Sequence, residues 1–192
     1  TTHTLEEEKM LKKKISYLNL HISVFKLDIC DKNDREKINS LDIDVLFLHA
    51  GVGNVGLLKD MDISLIRENF EVNVFSNLDL IQKFLKKENH NKKIVVTSSL
   101  FVNHACPYFG SYILSKSSLE LMTKILKREC SFDSSNFILI KPGAYHTGFN
   151  QYMVETGEES GISSNIISFL KKAFLCIEEK DISTIVFKIV YA

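Results

Sequence analysis

Short apolar runs separated by longer helical patterns organise this chain. Residues 23–27 (SVFKL), 44–48 (DVLFL), 93–97 (KIVVT) and 136–140 (NFILI) each set large or β-branched side chains between polar or small ones, which predicts four β-strands. Between them, Ile66, Phe70, Val74, Asn77 and Ile81 recur at steps of three or four and predict one long helix over 62–87. A second helix is predicted over 112–129. It carries Leu114, Leu121 and Ile125 on one face and Leu119, Met122 and Leu126 on another, so it would be buried twice, by the sheet and by a second subunit. Residues 4–18 predict a third helix and 181–190 a fourth.

This alternation predicts the α/β class: a doubly wound, Rossmann-like parallel sheet forming a single domain over 1–192. Strands this apolar are expected where helices cover both faces of a sheet. Each predicted strand runs into small or polar residues, and ligands of open parallel sheets bind beyond the carboxyl ends of the strands. The four ends therefore point to one shared site.

Composition narrows the field. Lys plus Arg and Asp plus Glu both number 24, so no net field draws nucleic acid or an anionic membrane, and no basic stripe supplies a local one. No apolar run approaches the ~20 residues that span a bilayer, and residues 1–14 are too polar for a signal peptide. Cys30, Cys106, Cys130 and Cys176 are widely spaced. They make neither a zinc site nor a disulfide framework, and a soluble protein of the reducing cytoplasm without a metal is expected.

Tyr112 and Lys116 are four apart on the second long helix and so share a face. A free tyrosine, with a pKa near ~10, is a poor base at neutral pH. A neighbouring ammonium favours the phenolate and brings it towards the working range of acid–base catalysis. Ser99 stands at the end of the strand KIVVT, thirteen positions before Tyr112, with Pro107 in the intervening loop. The stretch IVVTSSLFVNHACPYFGSYILSK, with its strand, Ser-Ser, proline-bearing loop and Tyr-x-x-x-Lys, resembles the signature of the short-chain dehydrogenase/reductase family. Four further segments resemble that family in the correct order. LDIC at 27–30 is similar to its Leu-Asp-Val loop beside the adenine, and LHAG at 48–51 to its Asn-Asn-Ala-Gly turn. VNVFSN places the family's structural asparagine on Asn73, and KPGAYHT resembles its Pro-Gly loop with a cofactor-contacting threonine, here Thr147.

The resemblance implies an NAD- or NADP-dependent oxidoreductase acting on an alcohol/ketone pair. Tyr112 would exchange the proton of the substrate oxygen, and Lys116 would lower the Tyr112 pKa and bond the nicotinamide ribose. Ser99 would steady the substrate oxygen, and Asn73 would complete a proton relay. The cofactor would lie along Asp28 and Ile29, His49, Ala50 and Gly51, Tyr112 and Lys116, and the loop bearing Pro142, Gly143, Tyr145 and Thr147. Residues 148–175 would form the variable substrate lobe, with a partly apolar lid in FNQYM and SFLKKAF. A homodimer or homotetramer through the two long helices is the family expectation.

Two departures stand out. His49 takes the place of an asparagine and brings a titratable ring near neutrality. The family's opening Gly-rich phosphate turn has no counterpart, because Gly51-Val52-Gly53-Asn54-Val55-Gly56 follows a later strand. The first two strands of the order 3-2-1-4-5-6, and the last strand, are expected to lie outside these residues. No acid or arginine near 1–4 selects between NAD and NADP. A non-catalytic dinucleotide sensor and a nucleotide-sugar epimerase or dehydratase remain alternatives.

Overall fold

A computed structural model describes residues 1–88, 92–130, 135–143, 147–159 and 161–175. At its centre is a three-stranded parallel sheet, in which β2 (Lys93–Thr97) lies between β1 (Val45–Leu48) and β3 (Asn136–Ile140). Leu46 pairs with Ile94, and Ile94 with Phe137, so the apolar positions of all three strands fall in step. Ile94, Val95 and Val96 of β2 are fully buried, as a strand covered on both faces should be. On β1 only Leu46 and Leu48 are buried, whereas Val45 and Phe47 are 48% exposed, so coverage of both faces does not extend to this strand.

Three of the four predicted strands form. The run 23–27 does not: it makes one parallel bridge, Lys26 with Thr2, through Thr2 N to Phe25 O (3.2 Å) and Leu27 N to Thr2 O (2.8 Å). The run is apolar enough for a strand, but its described partner gives way to helix α1 (Leu5–Tyr17) after three residues. Helix α1 buries none of its residues and rests on local terms instead. Thr4 and Glu7 make a capping box, acidic residues fill the first turn, and Lys14 lies in the last.

A short helix α2 (Lys32–Glu36) follows, capped by Asp31. It anchors the segment before it. Asp34 accepts from the Asp28 amide (2.8 Å) and pairs with Lys26 and Lys37, which hold its carboxyl far below the usual range. Arg35 donates to the Ile29 carbonyl (2.6 Å) and to Asp79 (2.5 Å).

The predicted helix over 62–87 is interrupted. Helix α3 (Ile63–Phe70) runs through a π-helical turn, Glu71–Phe75, into α4 (Ser76–Leu85). The turn lets one extra residue into the coil and re-aims the side chains around Asn73. Helix α5 (Gly110–Glu129) carries Leu119 into the core, with Met122 and Leu126 packed beside it. Its other apolar face, Leu114, Leu121 and Ile125, is exposed. Helices α6 (Phe149–Glu159) and α7 (Ser164–Leu175) pack together over a second apolar cluster with Val55 and Phe109. The predicted helix over 181–190 lies outside the described residues. No described helix is long and apolar enough to cross a membrane.

The main core joins α4, α5 and the sheet through Ile81, Phe84, Ile94, Val96, Leu119 and Phe137. Phe84→Ala should therefore destabilise the fold by about 3–5 kcal/mol. Leu121→Ala, on the exposed face of α5, should stay within about 0.5 kcal/mol. Equilibrium urea denaturation of both variants checks the contrast, and equal losses would contradict this placement of the core.

Candidate active site

Ser99, Tyr112 and Lys116 come from the end of β2 and the first two turns of α5. Ser99 is buried and caps a short 3-10 turn, Leu100–Asn103, by accepting from the Phe101 amide at 3.2 Å. The Tyr112 ring lies against Phe149 of α6, with centroids 5.8 Å apart. Gly53 lies against the same ring: a Cβ there would come within 2.8 Å of Tyr112 Cδ2 and 2.8 Å of Met153 Cε. Burial pushes the Tyr112 phenol above its ordinary value, and its hydrogen bond with Ser99 works the other way.

Lys116 is buried, and its Nζ donates to the Thr97 carbonyl at 3.0 Å. Burial pushes the ammonium down to about 8. The shift of Tyr112 comes from burial and Ser99, while the Lys116 amine is turned towards the end of β2. An ammonium has three N–H donors, and among the described residues Lys116 has this one acceptor. Its tip abuts Gly51, where a Cβ would stand 2.9 Å from Nζ. Only glycine leaves that space open.

Asn73 brackets one residue, Val52. Its Oδ1 accepts from Val52 N (2.9 Å), and its Nδ2 donates to Val52 O (2.8 Å) and to Ser115 Oγ (2.9 Å). This uses the amide structurally, between the loop after β1 and helix α5. His49 is exposed as a residue, with Nδ1 3.2 Å from Thr97 Oγ1 and its ring stacked on Phe47. Partial desolvation of the ring lowers its pKa, with the Lys116 charge adding to the effect.

The remaining predicted positions are spread out. Pro142 accepts from Leu100 N (3.1 Å), so the loop after β3 lies beside the turn that Ser99 caps. Gly143 and Thr147 are exposed. Tyr145 lies outside the described residues. Asp28 and Ile29 belong to the α2 cluster, where the Asp28 carboxylate also accepts from Cys30 N (2.9 Å) and lies 3.5 Å from His3 Nε2.

Residues 3–158 match the family described as short chain dehydrogenase. The chain belongs to this family. Among its relatives, the NADPH-dependent 3-dehydrocapnine reductase of Ornithobacterium rhinotracheale is 32% identical over 55% of this chain and 39% of its own length. Retinol dehydrogenase 8 of Bos taurus is 26% identical over 80% of this chain and 52% of its own. The chain thus spans about two-fifths to a half of the length of these relatives. A short chain dehydrogenase/reductase from Burkholderia phymatum, solved in complex with NAD, superposes with a TM-score of 0.80 at 17% identity, covering 98% of this chain and 74% of the other. That similarity establishes the Rossmann-like fold.

Within this short-chain dehydrogenase scaffold, sequence reasoning missed several polar residues around the site. Ser98 Oγ reaches Glu120 (3.4 Å). Glu120 is buried yet held below its ordinary pKa, because the ammoniums of Lys124 (2.6 Å) and Lys141 (3.0 Å) outweigh its desolvation. Lys141 opens the loop after β3, so this pair clamps that loop to α5. Ser111 and Ser115 went unread because their partners, Asn69 and Asn73, lie 42 residues away on another element.

The lowered pKa of His49 has a consequence for stability. Its folded-state value lies below the unfolded value near ~6.5, so the unfolded chain takes up the proton first. Its contribution is full above the unfolded value and is lost as pH falls through that value towards the folded one. His49→Asn should flatten the fall in melting temperature between about pH 7 and pH 5. An unchanged profile in that variant would remove His49 from the pH response.

Proposed function

We propose that the chain acts in hydride transfer between a nicotinamide dinucleotide, NAD or NADP, and an alcohol or carbonyl compound, with Tyr112 as general acid–base. The observation that carries this reading is the juxtaposition of three groups. Ser99 lies near enough to the Tyr112 phenol to oppose the rise that burial gives it, and Lys116 is buried one helical turn away beside Gly51, with one acceptor among the described residues.

The nicotinamide, when bound, supplies or accepts the hydride. The other work falls to this chain. A carbonyl oxygen placed between Ser99 Oγ and Tyr112 Oη receives a hydrogen bond from the serine, and its developing charge is neutralised by the phenol proton. In the reverse direction Tyr112 takes the alcohol proton. Burial keeps the phenol protonated, which suits the acid role. Ribose hydroxyls meeting the donors of Lys116 would favour its charged form, and that charge in turn favours the phenolate.

The residues fit the nicotinamide-ribose end of such a cofactor in their chemistry, with the Lys116 amine beside Gly51. Ala50 and His49 adjoin it, Pro142, Gly143, Tyr145 and Thr147 would flank it, and Asp28 with Ile29 would meet the adenine. Helices α6 and α7 would form the substrate lobe. Phe149 and Met153 give it an apolar floor over Tyr112. The exposed Leu114, Leu121 and Ile125 of α5 would meet a second copy in a homodimer or homotetramer.

A nicotinamide-absorbance screen over alcohols and ketones should find a substrate. Tyr112→Phe should lower kcat by at least about a hundredfold while leaving dinucleotide binding intact. Undiminished turnover in Tyr112→Phe would overturn the mechanism. Dinucleotide binding without turnover across the panel would favour a sensor on the same scaffold.

A further inference from the structure

Helix α5 begins without a capping side chain: Phe109, at its N-cap, makes no side-chain hydrogen bond to the first turn. Tyr112 is the third residue of that turn. A first turn without a capping side chain frays readily, yet this one must present the phenol beside Ser99.

Two polar rungs brace it from the side. Asn69, in the last turn of α3, donates Nδ2 to the Oγ of Ser111, the residue before Tyr112. One turn along both elements, Asn73 Nδ2 donates to Ser115 Oγ (2.9 Å), which itself donates to the Tyr112 carbonyl (2.8 Å). Each rung joins residues 42 apart, and all four side chains are fully buried. The rungs therefore bracket Tyr112 on the side of the helix facing α3 and the π-helical turn.

The Asn73 amide is fully used. That of Asn69 is not, because its buried Oδ1 has no partner among the described residues. Half-satisfied buried amides cost stability, and an apolar side chain of the same size would pack there without that cost. What a buried polar rung offers instead is a single register, since a slip of one helix past the other breaks it.

We propose that Asn69 is a positioning residue for Tyr112, its bond to Ser111 setting the rotation and register of the first turn of α5. The proposal rests on the reading of Tyr112 as the proton-transfer group. It places the control of the phenol in a contact remote from Ser99 and Lys116.

Asn69→Leu, made in the full chain, tests it. The melting temperature holds or rises, and the KM for dinucleotide stays within about twofold, while kcat falls roughly ten- to a hundredfold. The titration of Tyr112, isolated as an ultraviolet difference against Tyr112→Phe, moves to higher pH as the Ser99 bond weakens. Ser111→Ala reproduces both changes, the double variant adds nothing to either single one, and Ser111→Thr, which keeps the hydroxyl, retains kcat. An unmoved Tyr112 titration in Asn69→Leu and Ser111→Ala overturns the proposal, whether or not stability falls. If the unaltered chain turns over no substrate, the oxidoreductase reading fails, and the titration alone decides the role of Asn69.

Discussion

The amide of Asn73 holds together the three segments from which the site is built. By bonding both the N–H and the carbonyl of Val52, it treats that residue as a neighbouring strand would, and its third bond reaches Ser115 on α5. The π-helical turn is what brings this amide to the loop. Once Val52 is fixed, Gly51 is pressed against Lys116 and against Asn73 Oδ1 itself, at 2.9 and 3.1 Å from where a Cβ would stand. Glycine, amide and amine thus interlock: each occupies space that a different residue at either of the others would take.

The electrostatics of the site follow from the same packing. Lys116 is pushed down and Tyr112 up, so burial drives both towards their neutral forms. His49 is pushed down as well, by partial desolvation and by the Lys116 charge. With amine and imidazole close enough to oppose each other, charging one discourages charging the other. Oxygen acceptors reaching the donors of Lys116 that have no acceptor among the described residues would offset part of the desolvation cost there. Ligand binding and the protonation states of the site are therefore linked rather than independent.

Much of this was legible in the sequence, for identifiable reasons. Short apolar runs mark β1, β2 and β3, and a period of 3.6 marks α5, because burial writes itself into local composition and spacing. The run 23–27 misleads because its composition suits a strand, while the ladder it needs depends on a partner far away in sequence. The π-helical turn is hidden because one extra residue still leaves apolar steps of three and four. Ser99, Tyr112 and Lys116 could be read because their chemistry requires fixed spacings within one strand-loop-helix unit. The rungs from Asn69 and Asn73 could not, since serines and asparagines 42 residues apart carry no local pattern. The glycines of 51–56 also resolve differently from their spacing: Gly53 admits the ring of Tyr112 and the Met153 side chain, and Gly56 N bonds Tyr108 O at 2.8 Å. They fit the loop to the start of α5 and do not form a phosphate turn.

The apolar lobe over Tyr112 sets the terms for the rest of the site. Phe149 and Met153 pack on the partly buried ring of Tyr112 and lower the local polarity, which strengthens charge interactions beneath them. The same burial raises the phenol and makes it a worse proton acceptor. A tyrosine in that position can work in both directions only if other groups offset the burial. Ser99 already does so in part, and the Lys116 ammonium, one turn along α5, is a second group whose charge can do more as its hydrogen bonding improves. The covering lobe and the buried amine are for that reason two halves of one requirement: the drier the lobe makes the site, the more the phenol depends on a cation whose charge the same dryness makes less favourable.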